Sequence, residues 1–289
     1  MYPAALFANY SIEFLSSLFT VVLNTQTLYE QVKANKTNTQ LTMVLSHIML
    51  HILFAYPTLA YSGQGIYALG DPNRSHPLIF WTGNFAYSSV IATGLADMFL
   101  GIDRYVAITR PMVYKHRFKN RFTVFALVVC AVAVLIMVFV IVSQRVEAPP
   151  EAVGFAYHTN QIVIFIHVNI NIAFSVLNVL ITTVFMVKLR KFNRSLQKTS
   201  MSAAHRSDLA KANKIVIYQM ALEIAFHITP TFVTCFVMYA FGWNWPLLLG
   251  PYPFTLLSVY IFSCSILYRI KLGKKAEVEV SKVVKVSSK

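Results

Sequence analysis

Seven long apolar runs govern what this chain can fold into: near 7–29, 41–62, 78–108, 122–144, 161–187, 214–241 and 247–270, mainly apolar residues continue for the length a bilayer demands. A hydrocarbon core about 30 Å thick takes about 20 such residues as a helix. The runs predict an all-α membrane protein, a bundle of seven transmembrane helices, with the third long enough to tilt strongly or to project beyond the bilayer. Charge points the same way, since Asp, Glu, Lys and Arg supply only 12% of the residues, where a soluble domain carries about 25% to face water. The first run is read as a span and not as a signal peptide. No Lys or Arg precedes it, Glu13 interrupts it and no small-residue cleavage site follows.

Basic residues set the expected orientation. Lys33 and Lys36 lie between the first two runs, and Arg104, Arg110, Lys115, Arg117, Lys119 and Arg121 lie about the junction of the third and fourth. Eight more fall between Lys188 and Lys214, and seven from Arg269 onward. Placing all of these in the cytoplasm leaves only Arg74 and Arg145 outside, which is the side preference that basic loop residues impose. The amino terminus is therefore expected outside and the carboxyl terminus in the cytoplasm, with residues 1–270 forming the membrane domain and 271–289 a basic tail. Because the basic residues sit in short runs between apolar segments, the net charge of +14 does not mark a nucleic-acid binder. Loops such as Lys188 to Asn213 attract anionic membrane lipid instead. Cys130, Cys235 and Cys264 all fall inside apolar runs, so they imply no disulfide framework and no zinc site. No cofactor or metal is expected.

At the inner end of the third run the chain reads Gly101-Ile102-Asp103-Arg104-Tyr105-Val106-Ala107-Ile108-Thr109-Arg110-Pro111-Met112-Val113-Tyr114. Adjacent Asp103 and Arg104 can pair near the membrane boundary, where the local dielectric is lower than in water. An arginine so placed has two environments, paired or released toward a cytoplasmic partner. The bland alternative is an interfacial anchor that snorkels into the headgroups. Asp-Arg-Tyr at the end of the third of seven spans, with Ala-Ile-x-x-Pro-x-x-Tyr behind it, resembles the rhodopsin-like G-protein-coupled receptors. The resemblance implies a non-enzymatic plasma-membrane receptor that couples an outer ligand to a heterotrimeric G protein. Asp103, Arg104, Tyr105, Pro111 and Tyr114 are then its switch residues.

Other landmarks match in part. Pro230 stands where the family's sixth helix is kinked, although Ile228 replaces the aromatic switch residue two positions earlier. Tyr268 ends Cys264-Ser265-Ile266-Leu267-Tyr268, where the family has Asn-Pro-x-x-Tyr. Asn24 matches the polar residue of the first helix. The acidic residue of the second helix is missing, with His47 and His51 in that region, so the family's sodium site lacks its acid. The tryptophan of the fourth helix and the disulfide at the outer end of the third are absent. This degraded pattern, with short outer segments and a small basic tail, is similar to the nematode serpentine chemoreceptors, which implies sensory perception such as olfaction, on a sensory cilium.

Ionisable residues inside a span are costly and are functional candidates by default. Asp97 lies seven residues before Arg104 on the same helix face, and Glu223 lies seven before Pro230. Either the two share a proton or each finds a neutral donor such as His227, His51 or Asn24. Helix-face counting places Thr82, Ala86, Ser89, Val90 and Thr93 of the third run toward the bundle axis. Thr231, Phe232 and Cys235 of the sixth and Phe254 and Ser258 of the seventh complete an expected ligand pocket. That lining suits a small neutral molecule, and in amine receptors of the family an acid stands at the position of Ala86. Sequons at Asn9 and Asn73 would face outside, and those at Asn35 and Asn193 the cytoplasm.

A seven-helix transporter is the main rival, but it would show repeats and broken helices in corresponding places, and none is apparent. A retinal protein needs a lysine in the seventh span, which has none. No His-Glu-x-x-His or Gly-x-Ser-x-Gly marks an intramembrane enzyme.

Overall fold

A computed structural model of the chain describes residues 3–33, 42–71, 76–114, 118–149, 152–196, 203–242 and 251–287. Seven helices in it are long and apolar enough to cross a membrane. They are α1 (Pro3–Lys33), α2 (Thr42–Gly70), α3 (His76–Thr109), α4 (Lys119–Ser143), α5 (Gln161–Leu196), α6 (Ala203–Glu223 and Thr229–Phe241, joined by a π-helical turn over Ile224–Ile228) and α7 (Tyr252–Ser287). A single turn, Pro111–Val113, follows α3, and a 3₁₀ turn, Phe155–His158, precedes α5. Among the described residues there is no strand, only an isolated bridge between Arg145 and Thr159.

Each expected run falls within one of these helices, apart from Gln144 and Pro251, which flank α4 and α7, and residue 41 and residues 247–250, which lie outside the described residues. The helices overrun the apolar runs because polar residues do not by themselves break a helix. Gly63, Gln64 and Gly65 lie beyond the expected second span, and they continue α2. Likewise α7 does not stop at residue 270 but runs into the expected tail as far as Ser287.

Helices do not gain from hydrophobic association inside lipid, so their packing rests on close approach and polar contacts. The outward faces are accordingly apolar and the inward faces small or polar. On α4, Phe125, Val128, Leu135, Ile136 and Phe139 are exposed on the bundle surface, and on α5 so are Ile162, Phe165, Ile166, Leu180 and Val184. Helix α3 is the central element, packed against α2, α4 and α5, while α1 packs between α2 and α7. Two glycines permit the tightest approaches. A Cβ on Gly65 would lie 2.7 Å from the Tyr10 ring, and one on Gly83 would lie 2.5 Å from Phe155.

The π turn answers a local problem in α6. Pro230 has no N–H, and its ring collides with a regular helical carbonyl four residues earlier. Widening the preceding turn accommodates it, as π turns do. Gly242, at φ +68°, then ends α6 in the left-handed conformation that suits glycine. At the end of the bundle that carries Arg104, Arg269 pairs with Glu30, and Gln31 donates to the Leu272 carbonyl at 3.2 Å, tying α1 to α7.

Candidate functional site

The Arg104 end holds a closed polar lock. Arg104 and Asp103 are both fully buried, so Arg104 does not snorkel as an anchor would. Arg104 Nε donates to Asp103 Oδ2 at 2.8 Å, and its terminal nitrogen reaches the same oxygen. The Tyr114 hydroxyl closes the triangle, accepting from Arg104 at 2.9 Å and donating to Asp103 at 3.2 Å. Its ring lies 5.9 Å from the guanidinium. Burial pushes the Tyr114 phenol well above its ordinary range, against the lowering effect of Arg104, so the hydroxyl keeps the proton that it donates. Pro111 opens the turn that brings Tyr114 back under α3, and is itself exposed, as is most of that turn. Tyr105 is half-buried and packs against the core beside the lock, making no part of it.

Two turns deeper, Asp97 organises four helices. Its Oδ1 is bonded to His47 Nε2 of α2 at 2.7 Å and to the Gln219 amide of α6, and its Oδ2 accepts from Tyr260 of α7 at 3.1 Å. Tyr268 completes the cluster, donating to Gln219 Oε1 at 3.0 Å and lying 2.9 Å from His47 Nδ1. The expected partners of Asp97 are therefore corrected. Glu223 is not among them but takes the amide of Asn178 on α5, lying on the same face one turn further along α6 than Gln219. His227 stacks on Tyr260 at 6.5 Å with no bond to Asp97. His51 and Asn24 are fully buried, and neither supplies a donor to the acids. A small cavity, with about 10 Å³ for water, lies between α3, α5 and α6, lined by Asp97, Asn178, Thr182, Gln219 and Glu223 among others. That is room for one water molecule.

At the Phe155 end the expected pocket is filled by rings. Phe254 stacks on Tyr87 at 4.8 Å, and the Phe155 ring lies 4.7 Å from that of Tyr87. The Tyr61 hydroxyl accepts from the Phe155 amide at 3.3 Å and lies 3.3 Å from the Tyr10 hydroxyl. Of the expected lining, Ala86, Ser89, Val90, Thr93, Phe254 and Ser258 are buried in the bundle. Phe232 is corrected: it is 49% exposed and faces away from the axis, since the π turn rotates the residues that follow it relative to a regular helix. Thr82, Thr231 and Cys235 are only half-buried. The hydroxyls of Thr82, Ser89, Thr93, Thr231 and Ser258 all donate to carbonyls of their own helices, leaving acceptor lone pairs for a ligand. Glu13 of α1 also lies buried here, with Oε1 accepting from Thr255 of α7 at 2.7 Å and Oε2 lacking a hydrogen-bond partner.

Residues that sequence reasoning did not place in this network are Gln219, Tyr260, Asn178 and Glu13, with His47 noted only for its region. Helical spacing carries the signal for three of them. His47 lies four residues before His51, Gln219 four before Glu223, and Tyr260 eight before Tyr268. The contribution of Tyr87 and Phe155 to the pocket has no such signal, because it depends on how the 3₁₀ turn folds over the bundle. The sequons at Asn35 and Asn73 lie outside the described residues.

A family model described as serpentine type 7TM GPCR chemoreceptor Srbc matches residues 2–271. No curated protein matches the chain.

Proposed function

This chain belongs to the serpentine type 7TM GPCR chemoreceptor Srbc family, and we propose that within it the chain is a receptor for a small neutral molecule that signals through a heterotrimeric G protein. In this reading it lies in the plasma membrane, that of a sensory cilium included, and serves olfaction or a related sense. Its amino terminus is outside and its carboxyl terminus is cytoplasmic, as the basic loops require. The observation that carries the reading is the buried Asp103–Arg104–Tyr114 lock, one polar group at the end of the bundle that, in this orientation, faces the cytoplasm. A buried arginine held by a neighbouring acid and a tyrosine of the following turn has a second state, turned outward to a partner. Asp97 and Gln219 then tie α6 to α3 in the closed state. A seven-helix transporter, the rival function, has no comparable feature to explain.

One observation favours a cationic ligand as a second reading: Glu13 keeps an oxygen buried without a hydrogen-bond partner at the Phe155 end. The test uses cells that report G-protein activation, challenged with panels of neutral odorants and of amines of matched size. Activation by neutral compounds, lost in Arg104→Ala at unchanged surface expression, is the expected result. Activation confined to amines and lost in Glu13→Gln would establish the second reading. Signalling by Arg104→Ala at the wild-type level would remove Arg104 from the switch. Epitope tags at Met1 and Lys289 are expected to be stained on intact cells at Met1 alone, and staining at Lys289 would reverse the orientation.

A further inference from the structure

Two histidines one helical turn apart on α2 and a carboxylate on α3 meet in the middle of the bundle. His47, His51 and Asp97 each offer a ligating atom, and these atoms all lie within 4.8 Å of one another. All three residues are buried, the two histidines completely. His47 and Asp97 are joined by their hydrogen bond, but His51 is not accounted for. Neither of its ring nitrogens has a hydrogen-bond partner, although its ring packs 4.2 Å from that of His47 and about Tyr260 and Tyr268. Buried polar groups in folded proteins are nearly always bonded, so an exception calls for a cause. A phenylalanine at 51 would make the same ring contacts without stranding two nitrogens.

We propose that His47, His51 and Asp97 form a zinc-binding site inside the bundle. Spacing i, i+4 places both imidazoles on one face of α2, where they can bind a single ion. Two imidazoles and a carboxylate are a donor set that Zn²⁺ accepts at about 2.0–2.2 Å, with a fourth position left for water. Calcium and magnesium prefer oxygen ligands and are disfavoured here. Ligand atoms around a tetrahedral zinc stand about 3.4 Å apart. The His47–Asp97 pair, now at 2.7 Å, has to open slightly, and the wider separations, all within 4.8 Å, have to close. Side-chain rotation covers both. A proton on His47 would leave His51 as stranded as before, whereas an ion between the three uses a nitrogen of each ring.

The site also states what zinc would do. Asp97 Oδ1 accepts from both His47 and Gln219, and Gln219 is the contact of Asp97 with α6. An ion on that oxygen takes it from Gln219 and loosens α6. Asp97 also lines the small cavity shared with Asn178, Thr182 and Glu223, so the site borders a polar space that can hold a water. Binding does not depend on the receptor reading, but an effect on signalling does.

The full chain, purified in lipid nanodiscs and stripped with a chelator, is equilibrated with Zn²⁺ alone, and bound metal is counted by mass spectrometry. The wild type is expected to hold one equivalent more than His51→Phe. That variant loses no hydrogen bond and should keep its thermal unfolding temperature in the absence of metal. With Co²⁺ in place of zinc, the wild type should show the intense visible absorption of a tetrahedral site and the variant should not. Equal zinc content in two folded proteins overturns the proposal. Should His51→Phe fail to fold, a wild type that binds cobalt without tetrahedral absorption overturns it as well. If zinc binds as expected but leaves basal G-protein activation unchanged, the site stands and its link to signalling falls.

Discussion

Replacing Gln219 by leucine isolates the contact between α6 and the core of the bundle. Gln219 is buried, donates to Asp97 and accepts from Tyr268 at 3.0 Å. Leucine has a similar volume, and the groups left behind retain partners: Asp97 keeps His47 and Tyr260, and Tyr268 keeps His47. A hydrogen bond to a charged group contributes about 1.5–3 kcal/mol and a neutral one about 0.5–1.5 kcal/mol. Both are lost when α6 swings away, so the substitution removes about 2–4 kcal/mol from the closed state relative to the open one. At 1.4 kcal/mol per tenfold, the ratio of closed to open falls by about 25-fold or more. A receptor that rests with about 0.1% of molecules open would move to a few per cent. The assay is ligand-free G-protein activation in cells, normalised to surface receptor, with thermal unfolding of the purified protein as the check on folding. Basal activation should rise at least several-fold. A Gln219→Leu receptor that reaches the surface, unfolds like the wild type and shows unchanged basal activity would refute the idea that this contact holds α6 closed.

Tyr114→Phe keeps the ring against Arg104 but deletes the hydroxyl that lies 2.9 Å from Arg104 and 3.2 Å from Asp103; basal activation should rise about tenfold or more, because two hydrogen bonds to charged groups are lost and even one contributes about 1.5–3 kcal/mol, and no rise would mean that the Asp103–Arg104 pair alone forms the lock. Gly83→Ala places a Cβ 2.5 Å from the Phe155 ring and 2.7 Å from its Cβ, atoms that cannot move without shifting the 3₁₀ turn. Overpacking of this kind costs about 1–3 kcal/mol, so thermal unfolding of the purified protein should occur at lower temperature, and Phe155→Ala in the same chain should restore part of the loss.

The seven helices were legible because each apolar run is long, and length alone forces a helix in lipid. The Asp103–Arg104 pair was legible too, since neighbours in sequence need no knowledge of packing. Asp97 was recognised as a group needing a partner, yet the partner was misassigned. Glu223 and His227 are the conspicuous ionisable residues of the sixth run, whereas the α6 donor to Asp97 is an amide, Gln219, which carries no charge to draw attention. Positions 219 and 223 share one face of α6 a turn apart, so the choice between them depends on where α6 lies along its axis relative to α3, which packing fixes and composition does not. Phe232 failed for a related reason. A regular helix counted from Pro230 would turn it inward, and the π turn at Ile224–Ile228 changes the count. The rings over the Phe155 end were unreadable because Tyr61, Tyr87 and Phe254 come from three different helices, and Phe155 joins them only through a short turn.

The π turn also divides α6 into parts with different attachments. Before it, Gln219 and Glu223 are bonded to α3 and α5, so this half is fixed to the polar centre of the bundle. Beyond it, Phe232, Val233, Phe236, Tyr239 and Phe241 face outward, and Thr234 is bonded to Tyr252 of α7. Within the receptor reading, a ligand acting among the rings at the Phe155 end has a physical route to the Asp97–Gln219 contact through α7. Phe254 stacks on Tyr87, and six residues along the same helix, about 9 Å at 1.5 Å per residue, Tyr260 donates to Asp97. A ligand that parts Phe254 from Tyr87 has to shift or rotate α7, which moves Tyr260 against a carboxylate that also holds Gln219. The two ends are then joined by one rigid helix, and transmission requires that α7 take a second arrangement when the rings part. Substitutions that free Phe254 from Tyr87 should therefore act in the same direction as Gln219→Leu, and combining the two should add less than the sum, because both release the same hold on α6.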